Sequence, residues 1–294
     1  MPDIAGNASA QHAVAPISWR RRVTDHFMTG VAILTVLLVL APLAAIFGYL
    51  VYRGLGSINW AFLTQTPKPV GEPGGGMANA IVGSMLILGI ASVVGVPFGI
   101  GAGIYLAEFG RNRFGSAIRF TADVLNGVPS IVIGIVAWAI LVRGHGFSAM
   151  AGGLALAIMM VPTITRTTEE MLLLVPQALR EAAYGLGVPR WRTTLSITLR
   201  TATSGVITGV MLAFARVAGE TAPLLFTTLG NTFWNLHYNQ PTAALPLQIY
   251  QYANSPYDDW HRQAWAGSFV LILLIVSSVA AVRYAVRRGT FGAA

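Results

Sequence analysis

Two residues of opposite charge, Arg216 and Glu220, lie four positions apart inside an otherwise apolar stretch. In a helix this spacing puts both side chains on one face, where they can pair. Each would cost about 2.5 to 3.5 kcal/mol at the centre of a membrane-spanning helix, so we expect their face to avoid lipid. An arginine can donate two parallel hydrogen bonds to a tetrahedral oxyanion. The pair therefore predicts either a structural ion pair or a polar element of an anion route.

Three other charged residues border the apolar stretches. Arg166 is a weaker candidate for the same route, because ordinary anchoring at a membrane surface explains an arginine there equally well. Glu108 and Asp123 are predicted to be solvated interfacial charges and are not assigned to a site.

The composition predicts an all-α integral membrane protein. Apolar residues make up 54% of the chain and charged residues only 10%, against roughly 25% charged in soluble domains. Residues 1–26 are predicted to be a tail and residues 286–294 a C-terminal end. Between them the sequence predicts six transmembrane helices: 27–52, 79–107, 121–142, 148–164, 203–229 and 265–285.

The basic residues are distributed unevenly between the predicted connections. Most of the 19 lysines and arginines lie in one alternating set of connections, which includes both termini. Because cytoplasmic connections carry the excess of basic residues, we expect both termini to be cytoplasmic. The arginines are not gathered into one solvated segment, so a nucleic-acid partner is not predicted.

The predicted connection between the fourth and fifth spans, residues 165–200, is much longer than the roughly 2–8 residues of a helix hairpin. Pro176 can start a short helix there. Gly187 can cap its end, and Pro189 prevents it from continuing. Its small apolar face would be formed by residues at helical spacing: Leu179, Ala182, Ala183 and Leu186.

Glu181-Ala182-Ala183, with Gly187 six positions after the glutamate, resembles the EAA loop of ABC-transporter permeases. Arg200 stands where that family usually has proline. Three further segments are similar to the A-type permease subunits of phosphate-specific (Pst) ABC transporters, the PstA family: residues 127–134, 166–170 and 216–224. The resemblance covers about residues 77–285.

The resemblance implies a type I ABC importer permease fold in a bacterial cytoplasmic membrane. It implies that the loop with Glu181, Ala182, Ala183 and Gly187 docks on a separate ATPase, with the glutamate as polar anchor and the small residues allowing close contact. The implied partners are a homologous C-type permease subunit, a dimeric ATPase that holds ATP and Mg²⁺, and an extracytoplasmic phosphate-binding protein. The chain itself would bind no cofactor and would form half of a phosphate route.

Other functions compete with this one. An ABC permease for phosphonate, sulfate or molybdate, an ion-coupled secondary carrier and a regulatory membrane scaffold are the alternatives. Gly99-Ile100-Gly101-Ala102-Gly103 lies in an apolar span, so it predicts close helix packing and not a nucleotide loop. No catalytic set or metal-ligand spacing is present. The aromatic-rich connection 230–263 is predicted to be an interfacial loop or a docking surface for an extracytoplasmic partner.

Overall fold

A computed structural model of the chain describes residues 18–72 and 74–291, the last five of them, 287–291, by their backbone alone. Most of the predicted tail, residues 1–17, and the last part of the predicted C-terminal end, residues 292–294, lie outside the described residues. The described chain is all-helical, as predicted. The chain divides into two compact units, Met1–Tyr49 and Leu50–Ala294.

The helices of the described residues are, in chain order, α1 (Trp19–Leu55), α2 (Trp60–Thr64), α3 (Ala78–Phe109), α4 (Arg113–Gly127), α5 (Ser130–Ala137), α6 (Ala149–Leu173), α7 (Gln177–Gly185), α8 (Arg190–Thr193), α9 (Leu199–Ala218), α10 (Ala222–Thr227), α11 (Leu245–Ala253) and α12 (Asp258–Phe291). One π-helical turn, Trp138–Val142, continues α5, and another, Thr194–Thr198, joins α8 to α9.

Five helical segments among the described residues are long and apolar enough to cross a membrane. These are α1, α3, α6, the continuous segment Arg190–Ala218, and Asp258–Val286 of α12. A further pair, Arg113–Gly127 and Ser130–Val142, passes the same test together but is bent by 106°. The predicted unbroken helix over 121–142 is therefore wrong, because Pro129 lacks an N–H and disfavours helical geometry at the residue before it.

The fourth and fifth predicted spans also end elsewhere. α6 continues to Leu173, so the first part of the predicted loop 165–200 belongs to that helix. The fifth span was predicted to run to residue 229, but α9 ends at Ala218 and α10 starts separately at Ala222. Arg200 continues the helix where a proline would interrupt it, since arginine keeps its backbone N–H.

α3 and α6 pack in parallel through small residues. A Cβ added at Gly99 would lie 2.6 Å from the Ile164 Cβ, and one added at Gly103 would lie 2.5 Å from the Thr168 Cβ. Both contacts join positions 65 residues apart, so the two helices run side by side in the same direction. The predicted close packing at these two glycines is confirmed, and larger residues there would force α3 and α6 apart.

The connection over residues 230–263 is more ordered than an interfacial loop. It contains α11 and the first turn of α12, and Ala243, Leu245 and Tyr252 are buried in a hydrophobic cluster. The Tyr252 ring stacks on Trp260 at a centroid distance of 4.4 Å. Burial raises the pKa of the Tyr252 phenol above its ordinary value.

Candidate functional site

The short helix predicted after Pro176 is present as α7. Its end is a Schellman motif: the Gly187 N–H donates to the Tyr184 carbonyl at 2.9 Å, and the Val188 N–H donates to the Ala183 carbonyl at 3.1 Å. Gly187 has φ of 78°, a left-handed conformation that favours glycine. The predicted stop signal at Gly187 is therefore confirmed.

The two faces of α7 differ in exposure. Arg180 and Ala183, three positions apart, are its buried residues. Glu181 and Ala182 are exposed, and Leu186 at the C-cap is 84% exposed. The predicted apolar face is therefore divided, because Ala183 points into the protein while its predicted neighbours Ala182 and Leu186 point out.

Arg180 ties α7 to the ends of two long helices. Its Nη1 lies 2.5 Å from Glu108 Oε1 at the end of α3, and its Nη2 donates to the Leu172 carbonyl of α6 at 2.7 Å. The side chains of Arg180 and Glu108 are only 10% and 9% exposed. The prediction that Glu108 is a solvated interfacial charge is therefore wrong, since a buried carboxylate needs such a partner.

A second ionic network lies between α4 and α6. Glu169 accepts from Arg119 Nε at 2.6 Å and from Arg166 Nη1 at 3.1 Å. Arg166 also contacts Asp123 through two oxygens, at 2.9 and 3.3 Å. Asp123 is half exposed as predicted but is paired, and Arg166, a predicted route residue, is held here by two carboxylates.

The remaining contacts of Arg119 complete this network. Its guanidinium donates to the carbonyls of Gly110 at 2.8 Å and Leu106 at 3.1 Å, so it also joins α4 to the end of α3. Arg119 and Glu169 were not among the predicted site residues. Spacing within a helix signals only one of these contacts, that of Arg166 with Glu169, because Arg119 pairs with Glu169 on another helix and not with Asp123 four positions on.

Arg216 lies near the middle of the depth spanned by α6. α9 runs antiparallel to α6, because a Cβ at Gly205 would clash with Met171 and one at Gly209 would clash with Thr167. Continuing this register brings Arg216 level with Met160, which is central in the 25-residue α6. The predicted position in the middle of one helix is wrong, because Arg216 lies in the last turn of α9. The register nevertheless places it level with the middle of α6.

Glu220 does not share a helix with Arg216, contrary to the prediction. α9 ends at Ala218, and the Glu220 N–H donates to the Val217 carbonyl at 3.1 Å in the turn that follows. Arg216 is exposed and Glu220 half-buried. Neither residue forms an ion pair with another side chain that the structure describes.

Two breaks in the helices occur at this same depth. The break after α4 follows Asn126, which accepts a hydrogen bond from Thr163 of α6 at 3.0 Å. The break after α9 lies between Ala218 and Ala222, and the helices beyond the two breaks pack together at Gly134 and Pro223. Non-helical backbone at membrane depth is tolerated where it is buried in protein or lines a polar cavity, and such breaks are typical of transport sites.

Sequence comparisons identify relatives along most of the chain. Residues 99–289 match the family described as "Binding-protein-dependent transport system inner membrane component". The phosphate transport system permease protein PstA of Yersinia pestis is 45% identical over 261 residues, which cover 88% of each chain. The protein of that name from Haemophilus influenzae is 44% identical, covering 87% of this chain and 91% of its own.

More distant relatives extend the likeness. Phosphate transport system permease protein PstA 1 of Mycobacterium tuberculosis H37Rv is 34% identical over 283 residues, covering 93% of this chain and 92% of its own. Among solved structures, a chain of the MetNI methionine ABC transporter in an inward-facing conformation matches with a TM-score of 0.51 and 18% identity. It covers 72% of this chain and 94% of that chain, and the likeness is one of fold.

Proposed function

Because the chain belongs to the PstA family of phosphate transport permeases, we propose that α7 is its docking site for the ATPase and that Arg216 and Glu220 lie on its phosphate route. The chain is the multi-pass permease subunit of an ATP-driven phosphate importer in the bacterial inner membrane. It is not itself the ATPase, and it works in a complex with ATPase and permease partners.

The division of α7 into two faces supports the docking role. The exposed face offers Glu181 as a polar anchor and Ala182 as a small residue that permits close approach. Gly187 is also exposed and has no side chain, so it permits close approach at the end of this surface. Ala183 is buried, and it packs α7 against the rest of the permease. The bound ATPase would hold ATP and Mg²⁺, and its position would make the α7 side of the protein cytoplasmic, as the basic residues predict.

The unpaired charges at mid-depth support the route. A charged side chain within a membrane is expected to face a partner or a polar cavity and not lipid. Arg216 is exposed in the isolated chain and has no ionic partner in its described residues, so a homologous permease subunit of the C type would cover this face and complete the route. Phosphate would bind the Arg216 guanidinium through paired hydrogen bonds. Glu220 would accept a hydrogen bond from the protonated oxygen of phosphate and limit how tightly the anion is held.

Arg166 has a less direct place in this proposal. Its bonds to Asp123 and Glu169 leave it on the α7 side of the two helix breaks. Phosphate leaving Arg216 towards that side would reach Arg166 next. It would replace the Asp123 or Glu169 carboxylate on the Arg166 guanidinium and so pass along the route.

The opposite end is the proposed docking area for the extracytoplasmic phosphate-binding protein. It carries a cavity of about 500 Å³ whose lining includes Lys68, Phe233 and Trp260. The ordered connection over residues 230–263 forms most of its wall.

The exposed Glu181–Ala182 surface is the observation that carries the proposed coupling, and the variant Ala182→Asp tests it. We expect the ATPase to be lost when the inserted variant is affinity-purified from native membranes, and phosphate-stimulated ATP hydrolysis to be lost with it. Thr201→Asp, at an exposed position on α9, is the control. Undiminished ATPase association and phosphate uptake in the Ala182→Asp variant would contradict the docking role. Competition of uptake by phosphonate, sulfate and molybdate tests the anion preference, and phosphate is expected to be preferred.

A further inference from the structure

α7 is held to the rest of the permease by one narrow strip of residues. Of its nine residues, only Arg180 and Ala183 are buried. Ala183 provides a small apolar contact, whereas Arg180 makes two polar contacts with other helices. Arg180 therefore makes the polar side-chain contacts that attach α7 to α3 and α6.

The two polar contacts of Arg180 are directed at the ends of α3 and α6. The guanidinium is planar, and its two contacts, to Glu108 at 2.5 Å and to the Leu172 carbonyl at 2.7 Å, lie at the ends of α3 and α6. Because both side chains of the pair are buried, a rotation of α7 that separated them would leave a charge without water or a partner. Separating α7 from α3 and α6 is therefore unfavourable.

The helices reached by Arg180 lead to the middle of the membrane. α3 and α6 are packed at Gly99 and Gly103, and α6 contacts α9 at Gly209, seven positions before Arg216. Glu169 joins α6 to α4, which ends at the other helix break. These contacts form a continuous packed path from α7 to both breaks.

We propose that Arg180 and Glu108 form a latch that transmits the movement of α7 to α3 and α6 during transport. Both are positioning residues, since neither is placed on the phosphate route or on the docking face. The inference rests on the proposed function of α7 as the docking site for the ATPase.

The test measures phosphate imported per ATP hydrolysed by the complete transporter in proteoliposomes. Glu108→Gln keeps the side-chain shape but removes the charge, and we expect it to lower this ratio about tenfold, within the range usual for coupling between sites. ATPase binding and ATP hydrolysis are expected to persist. Glu170→Gln makes the same change at an exposed carboxylate of α6 and is expected to leave the ratio unchanged.

A cross-linked variant separates transmission from folding. The chain contains no cysteine, so in Glu108→Cys/Arg180→Cys, assembled with cysteine-free partners, a short bifunctional thiol reagent joins only these positions. We expect the unbridged variant to be uncoupled and the bridged one to recover at least half of the unaltered ratio.

Three results would overturn the latch. These are an unchanged ratio in Glu108→Gln, a ratio that bridging does not restore, and a loss of assembled complex with a normal ratio in the complexes that remain. Failure of the proposed function is distinguishable, because the unaltered chain itself would then bind no ATPase or import no phosphate.

Discussion

The charged residues near α7 and those at mid-depth are arranged in opposite ways. Near α7, Glu108 and Glu169 are buried and each is bonded to arginine. At mid-depth, Arg216 is exposed and Glu220 half-buried, and neither has an ionic partner among the described side chains. Both groups face the cost of charge in or near a membrane, but only one group offsets it within the chain.

This difference separates charges that position helices from charges that await another molecule. A paired buried charge adds geometric definition, and removing one partner is costly because the other is left uncompensated. An unpaired charge at membrane depth needs a partner subunit, water or a ligand. The contrast predicts that substitutions near α7 change stability or coupling, whereas substitutions at mid-depth change transport.

The largest expected effect is at Arg216. Because hydrogen bonds to charged groups contribute about 1.5–3 kcal/mol each, we expect Arg216→Gln to lower the initial rate of phosphate uptake by about tenfold to a hundredfold. Its membrane abundance should be normal, since no ion pair within the chain is lost. Arg143→Gln, at another exposed arginine, is the control. Normal uptake by Arg216→Gln would remove Arg216 from the route and end the contrast.

The next effect is on stability. Glu169→Gln removes the carboxylate shared by Arg119 and Arg166, whose side chains are 29% and 32% exposed. We expect it to destabilise the protein by about 2 kcal/mol, because water partly replaces the lost carboxylate. Thermal unfolding in detergent measures this change. Glu170→Gln, at the exposed neighbouring residue, should unfold at the temperature of the unaltered chain. Equal stability of the two variants would show that the buried network does not hold α4 on α6.

The smallest effect concerns the end of α7. Gly187 and Gly185 both have open space around them, but only Gly187 has a positive φ, of 78°. Gly187→Ala should therefore destabilise α7 locally by about 1–2 kcal/mol, whereas Gly185→Ala should stabilise it by about 0.5–1 kcal/mol. Hydrogen exchange of the α7 amides distinguishes them. The same protection in both variants would mean that the Schellman turn does not define the docking helix.

The sequence predicted those features that depend on local chemistry. Pro176 and Gly187 bound α7 in the structure because proline and glycine act on the backbone where they stand. Hydropathy, by contrast, is averaged over a long window, so it concealed the breaks at Pro129 and Gly219 inside continuous apolar runs. Proline and glycine at these positions indicated the breaks, but the long apolar runs around them led to predictions of unbroken helices.

The ionic contacts could not be predicted from spacing alone. Glu108 and Arg180 are 72 residues apart, and Arg119 and Glu169 are 50 apart. Their meeting depends on how α3, α4 and α6 pack, which one sequence does not give. Arg216 and Glu220 show the reverse error: their spacing of four predicted a pair on one helical face, but the helix ends between them.

The central claim, that the turn after α9 faces a phosphate route, is tested most directly by thiol labelling. In the otherwise cysteine-free chain, Thr221→Cys lies beside Glu220. Val93→Cys lies at a 76% exposed apolar position on α3, two residues from Gly95, which packs against Met160 at the depth of Arg216. In the assembled transporter we expect an anionic, water-soluble thiol reagent to label Thr221→Cys, phosphate to slow that labelling, and Val93→Cys to stay unlabelled. Labelling of Thr221→Cys that is no faster than that of Val93→Cys, or that phosphate does not slow, would contradict the route.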